Sequence, residues 1–184
     1  MKERVILIDD NDNETGYCDK LEAHQKNLKH RALSVFIFNS KKEFLLQKRA
    51  ENKYHSPGLW TNTCCGHPRP GERTLQGAQR RLKEEMGMDC NLEKVFDFSY
   101  QADFKNGLFE NEFDHVYFGF SDALPVINKE EASDWKFLEY EILKKETGQY
   151  PEKYTAWFKI CLEIIESRNI FGAIKSIEKP TSAP

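Results

Sequence analysis

The sequence predicts an α/β (α+β) fold in which a mixed β-sheet is sandwiched between helices, with a β extension at the N-terminus. Three observations carry that prediction. Short apolar runs rich in β-branched and aromatic residues recur along most of the chain. Two stretches show apolar residues at helical spacing. A Gly/Pro-punctuated loop of about twenty residues separates the first hairpin from the first of these helices. The order strand, hairpin, loop, helix, strands, helix is that of a sheet with helices on its faces.

Each element follows in turn. Val5 to Ile8 is a short apolar strand ended by Asp9-Asp10-Asn11-Asp12-Asn13, and Thr15 to Asp19 returns as a second. Leu33 to Phe38, LSVFIF, reads as a strand buried on both faces, and Phe44 to Lys48 pairs back across the turn at 39–42. Residues 50–71 hold the long loop, with Trp60, Cys64, Cys65 and His67 inside it. A helix follows with Glu72 in its first turn, Leu75, Ala78, Leu82 and Met86 on one face and Gly87 at its C-terminal end. Segments 92–104 and 113–120 form a hairpin around Asn106-Gly107, and Asp134 to Leu138 adds a strand. A last helix, 152–167, carries Trp157, Ile160, Cys161, Ile164 and Ile165 on one stripe. Residues 1–175 are expected to form a single catalytic domain. The tail 176–184 has little to bury and is expected to fray.

Composition narrows the function. The 184 residues suit one domain, with 39% hydrophobic and 31% charged residues. The formal charge of −3 argues against a generally basic nucleic-acid binder. No run approaches the roughly 18 apolar residues of a membrane span. The opening MKERVILIDDND does not read as a secretory signal. Five cysteines, two of them adjacent, suggest free thiols in a reducing, cytoplasmic setting.

The densest motif is GHPRPGERTLQGAQRRLKEEMGM at 66–88. Gly66, Glu72, Arg80, Leu82, Glu84, Glu85, Gly87 and Met88 occupy eight of the nine defined positions of the Nudix box, so the segment resembles that family. In the box, helix carboxylates hold a divalent cation that binds diphosphate oxygens. The competing reading is a solvated helix with Glu84 and Glu85 paired to Arg80 and Arg81. Arg81 stands where the box has Glu. A permanent cation there removes a ligand, so the helix reads as equipped for one Mg²⁺, through Glu85, rather than for hydrolysis.

TNTCCGHP at 61–68, ENE at 110–112, YTAWFK at 154–159, the LIDDNDN opening and HRALSVFIFN together resemble the type I isopentenyl-diphosphate isomerases, from about residue 4 to 168. The resemblance implies interconversion of isopentenyl and dimethylallyl diphosphate by protonation and deprotonation on opposite faces, through a tertiary carbocation. It places the proton-transfer groups at Cys65 and Glu112, with Tyr100 beside Glu112. It implies a cation centre of His24, His30, His67, Glu110 and Glu112, a nitrogen/oxygen set suited to Zn²⁺, Mn²⁺ or Mg²⁺. Lys20, Arg49 and Lys53 fall where the family grips the diphosphate, and Trp157 where a π face meets the carbocation, worth about 1–2 kcal/mol when desolvated. Cys64, His55 and His115 match no functional position. The expected partner is a small-molecule diphosphate, without nucleic acid or membrane, bound by a monomer or weak homodimer. The alternative is a Nudix pyrophosphohydrolase.

Overall fold

The computed structural model describes residues 3–104 and 106–172. The frayed tail expected at 176–184 lies outside the described residues. β1 (Arg4–Ile8) and β2 (Glu14–Asp19) form an antiparallel N-terminal hairpin. Asp19 then accepts hydrogen bonds from the Leu21 and Glu22 amides and caps a short helix, α1 (Lys20–Gln25). β3 (His30–Phe38) is the central strand. It pairs antiparallel with β4 (Phe44–Arg49) only at Ile37 and Phe38, and with β6 (Cys64–Gly66) through Leu33 to Val35. β5 (Trp60–Thr61) extends the sheet beyond β4. After α2 (Thr74–Met86) come β7 (Leu92–Asp103) and β8 (Phe109–Phe120), a long antiparallel pair. β8 runs parallel to β3 along all nine residues from His30 to Phe38. β9 (Ala132–Leu138) pairs with β4. α3 (Tyr140–Gln149), a 3₁₀ turn at Pro151–Lys153 and α4 (Ala156–Ser167) complete the described chain.

The sheet has a core on each face, which explains the uninterrupted apolar run of β3. Phe36 and Phe38 join Phe44, Val116, Phe118, Trp157, Phe158, Cys161 and Ile165 under α4. Leu33, Val35 and Ile37 join Leu45, Ala78, Leu82, Met86 and Tyr117 under α2. The same two-residue period separates the adjacent cysteines of β6. Cys64 is fully buried in the α2 core, whereas Cys65 packs against the α4 side.

Five element readings need correction. α1 and α3 were not foreseen as helices. α4 begins at Ala156 rather than 152, because Pro151–Lys153 closes a 3₁₀ turn first. Glu72 precedes α2 and accepts from the Arg69 amide at 2.8 Å and from Arg80 Nε and Nη2 at 2.8 Å each. Leu75 is exposed, leaving Ala78, Leu82 and Met86 as the buried stripe.

Candidate active site and cation centre

Strand register assembles the site. His30 is the cross-strand neighbour of Glu112 on one side of β8, and Tyr100 is its neighbour on the other. Ser34 is the neighbour of Cys65 across β3 and β6. Glu110, Glu112 and Asp114 share the inward face of β8, and all three are buried. Around them one pocket is lined by Lys20, Arg49, Lys53, Cys65, His67, Glu85, Tyr100 and Trp157. Every residue expected at the site is thus on this pocket or, for His24 and His30, packed directly behind its carboxylates.

The imidazoles are oriented from behind. His24 Nδ1 donates to the Lys20 carbonyl at 2.7 Å, one turn back in α1, and His30 Nδ1 donates to the Leu28 carbonyl at 2.8 Å. The carbonyls fix these tautomers and leave each Nε2 as a lone pair. His24 Nε2 lies 3.1 Å from Glu110 Oε2, His30 Nε2 lies 3.3 Å from Glu112 Oε1, and His67 Nε2 lies 2.8 Å from the same oxygen. His24 Nε2, His30 Nε2 and Glu110 Oε2 are buried with no hydrogen-bond partner. Orphaned lone pairs aimed at one another cost free energy unless a cation gathers them. The donor atoms of His24, His30, His67 and Glu112 all lie within 4.8 Å of one another. That separation and the nitrogen/oxygen chemistry fit a divalent ion.

Burial sets the proton affinities. It lowers His24, and it lowers His67 to about 3 despite the Glu112 carboxylate beside it. Burial and the charge of Glu112 push Glu110 well up. Burial also works against the charge of Glu112, but the His30 and His67 rings beside it outweigh that and hold the carboxyl well below its usual range. Tyr100 Oη donates to Glu112 Oε2 at 2.6 Å. Burial pushes the Cys65 thiol up to about 12, against the opposing charge of Arg49.

The cationic side chains are individually tethered. Lys20 pairs with Glu3 at 3.0 Å and Lys53 with Glu131 at 2.5 Å. Arg49 lies over the Trp157 ring, 5.3 Å from its centroid, with Nη1 3.9 Å from Cys65 Sγ. Trp157 Nε1 donates to Asn62 Oδ1 at 3.2 Å, which locks the indole against the pocket. On α2 the helical ion pairs form as well: Arg80 reaches Glu84 at 3.0 Å and Arg81 reaches Glu85 at 2.8 Å. Arg81 also contacts Glu84 and Glu131, each at 3.0 Å. Gln47 Nε2 donates to Glu85 Oε2 at 2.7 Å. A Cβ at Gly66 would come within 2.9 Å of Arg81 Nε, so the first glycine of the box makes room for this arginine.

Sequence reasoning missed His55, Asp114, Gln47 and Glu131. His55 matches no ligand position in the sequence, yet its Nε2 lies 3.4 Å from Glu110 Oε1. Asp114 accepts from Ser34 Oγ at 2.7 Å and is raised to about 8 by burial and by Glu112. Its place two residues beyond Glu112 on one strand face was the available signal. His115, by contrast, pairs with Asp12 at 3.0 Å, away from the pocket.

A sheet with helices on both faces, a loop–helix segment carrying box carboxylates, and a buried histidine–carboxylate cluster at the strand ends define a Nudix protein. The NUDIX domain model matches residues 28–158, and the chain belongs to that family. A Deinococcus radiodurans protein shares the fold with a TM-score of 0.71 at 20% identity, covering 90% of this chain and 98% of its own. A MutT protein from Methanosarcina mazei gives 0.63 at 22% identity, covering 77% and 95%. Closer in sequence are proteins named isopentenyl-diphosphate Delta-isomerase. One from Aromatoleum aromaticum is 48% identical over 180 residues, 97% of this chain and 95% of the relative. One from Serratia proteamaculans is 52% identical over 158 residues, 86% and 88%. Within the Nudix fold, the chain is a member of the isopentenyl-diphosphate Delta-isomerase family. Among the described residues, no helix is long and apolar enough to cross a membrane.

Proposed function

We propose that this chain interconverts isopentenyl diphosphate and dimethylallyl diphosphate, moving one proton onto the terminal alkene carbon and another off the neighbouring methylene. The observation that carries the reading is the pairing of Cys65 with Glu112 in one largely buried pocket bounded by the Trp157 indole. An unactivated alkene needs an acid held close and a base on the other face. Cys65 keeps its proton at neutral pH, Glu112 is ionised, and Tyr100 holds Glu112 in place. Trp157 turns its ring toward the space where a tertiary cation develops, and the same walls keep water from capturing it.

The diphosphate is assigned to Lys20, Arg49 and Lys53. Glu85, which also pairs with Arg81, would hold a Mg²⁺ that would neutralise charge on the diphosphate. A second divalent ion held by His24, His30, His67, Glu110 and Glu112 would orient Glu112 and lower its proton affinity. The unit expected to act is a monomer or weak homodimer. All five cysteines are free, in keeping with a reducing cytoplasmic setting.

Arg81 argues against pyrophosphate hydrolysis, because its guanidinium sits among Glu84, Glu85 and Glu131 where a hydrolase would gather metals. The test is incubation with isopentenyl diphosphate in deuterated water. Deuterium should enter the allylic product without matching release of phosphate or pyrophosphate. Cleavage of diphosphate esters with no labelling of the alkene would overturn the reading.

A further inference from the structure

His55 lies in the loop between β4 and β5, outside the ligand set that the family pattern implies, yet it borders the same carboxylate. The loop is pinned from beneath: buried Arg49 donates through Nη2 to the His55 carbonyl at 3.3 Å and through Nε to the Ser56 carbonyl at 3.2 Å. The imidazole stacks on Phe104, with centroids 4.9 Å apart and planes 17° apart, and meets Trp157 edge-on at 5.8 Å. That packing fixes the ring with Nε2 facing Glu110.

Glu110 is consequently gripped by two imidazoles, one per oxygen. His24 Nε2 stands 3.1 Å from Oε2 and His55 Nε2 stands 3.4 Å from Oε1. Both His24 Nε2 and Glu110 Oε2 are buried and lack a hydrogen-bond partner, so proximity here is not hydrogen bonding. The donor atoms of His24, His55 and Glu110 all lie within 4.8 Å of one another. Donors about 2.1 Å from a shared ion stand at most about 4.2 Å apart, so this set closes on a cation with little movement.

Resting on the cation centre of the proposed function, we propose that His55 is a fourth imidazole of that centre. With His24 and Glu110 it forms a second seat for the ion, beside the seat of His24, His30, His67, Glu110 and Glu112, and the two seats share His24 and Glu110. His24 serves both seats with one lone pair, because its Nδ1–H is committed to the Lys20 carbonyl. The two seats therefore exclude each other, and the histidine centre holds one ion with two adjacent resting places. The second seat uses Glu110 and not Glu112, so an ion there leaves Glu112 to His67 and Tyr100.

Co²⁺ titration of the purified protein, followed by visible absorption and by competition with a chromophoric chelator, tests this. Wild type, His55→Ala and His55→Gln are compared. Wild type should take up one imidazole-ligated Co²⁺. Both variants should bind it about twofold more weakly, the loss expected when two exclusive seats of similar affinity become one, with an altered visible spectrum. On wild type alone, hyperfine-shifted NMR signals should arise from the rings of four histidines. Unchanged affinity and spectrum in His55→Ala, or signals from three rings only, would refute the proposal. Recovery of both properties in His55→Gln would also refute it, since glutamine can donate a hydrogen bond to Glu110 but is a poor ligand. Two equivalents of imidazole-ligated Co²⁺ would refute the shared seat. Absence of any imidazole-ligated Co²⁺ in wild type would instead remove the cation centre itself, and this proposal with it.

Discussion

Replacing Arg81 with methionine keeps most of the aliphatic stem and deletes the charge. The guanidinium is shared by Glu85 at 2.8 Å and by Glu84 and Glu131 at 3.0 Å. Glu84 is 35% exposed and solvent screens much of its share. Glu85 and Glu131 are 4% and 20% exposed, so their contacts dominate. Without Arg81, Glu85 keeps only the Gln47 amide as a strong donor among the described residues. Removing one member of a buried pair costs about 3–5 kcal/mol. For a chain of this size each kcal/mol moves the melting temperature by about 2–4 °C, so Arg81→Met should melt about 6–20 °C below wild type. The carboxylates left behind attract divalent ions. Millimolar Mg²⁺ should therefore recover part of the loss in the variant and raise wild type much less. Thermal unfolding followed by circular dichroism, with and without Mg²⁺, measures both effects. A variant that melts within about 2 °C of wild type, or one that Mg²⁺ does not stabilise, would refute the reasoning.

Tyr100→Phe removes a 2.6 Å hydrogen bond to a buried carboxylate, worth about 1.5–3 kcal/mol. If that bond holds Glu112 through the transition state, kcat should fall about 10- to 150-fold with the fold intact, read by steady-state assay and circular dichroism. Cys65→Ser should abolish most isomerisation because a hydroxyl is a far weaker acid than a thiol, while Cys64→Ala, in the opposite core, should retain it; equal losses would show the wrong cysteine was assigned. Prolonged chelation should abolish deuterium labelling and re-addition of a divalent ion should restore it, whereas full activity in metal-free protein would dismiss the cation centre. Gly119→Ala places a Cβ 2.8 Å from Leu92 Cδ2 and 2.9 Å from both the Asn91 carbonyl oxygen and Cys90 Sγ, and should cost about 1–3 kcal/mol in urea unfolding.

What could be read in advance follows from how local each signal is. The run LSVFIF announced a strand with two covered faces because no polar residue interrupts its period. α2 was legible from Ala78, Leu82, Met86 and Gly87. α1 was not, since six residues cannot display a helical period and its start depends on a cap, Asp19. α3 buries only Leu143, so its sequence carries almost no amphipathic stripe. At the site, Glu110 and Glu112 share a face by arithmetic alone. His55 reaches Glu110 through a loop pinned by Arg49, and no spacing rule encodes that path. The two readings of Glu85, metal carboxylate or partner of Arg81, were opposed in the sequence. In the fold one side chain faces the pocket and pairs with Arg81 at once.

β8 carries Glu112 between His30 of β3 and Tyr100 of β7, so the chemistry is written into the ladder of the central sheet. Sliding β8 by a single residue would turn Glu110, Glu112 and Asp114 to the α2 face and drive Phe113 and His115 into the pocket. Such a slip would also expel Val116 and Phe118 from the α4 core. A misaligned yet partly working enzyme is therefore not an accessible intermediate. Amide protons around Glu112 should exchange with solvent only at the rate of global opening, and activity and native structure should return together when the unfolded chain is allowed to refold.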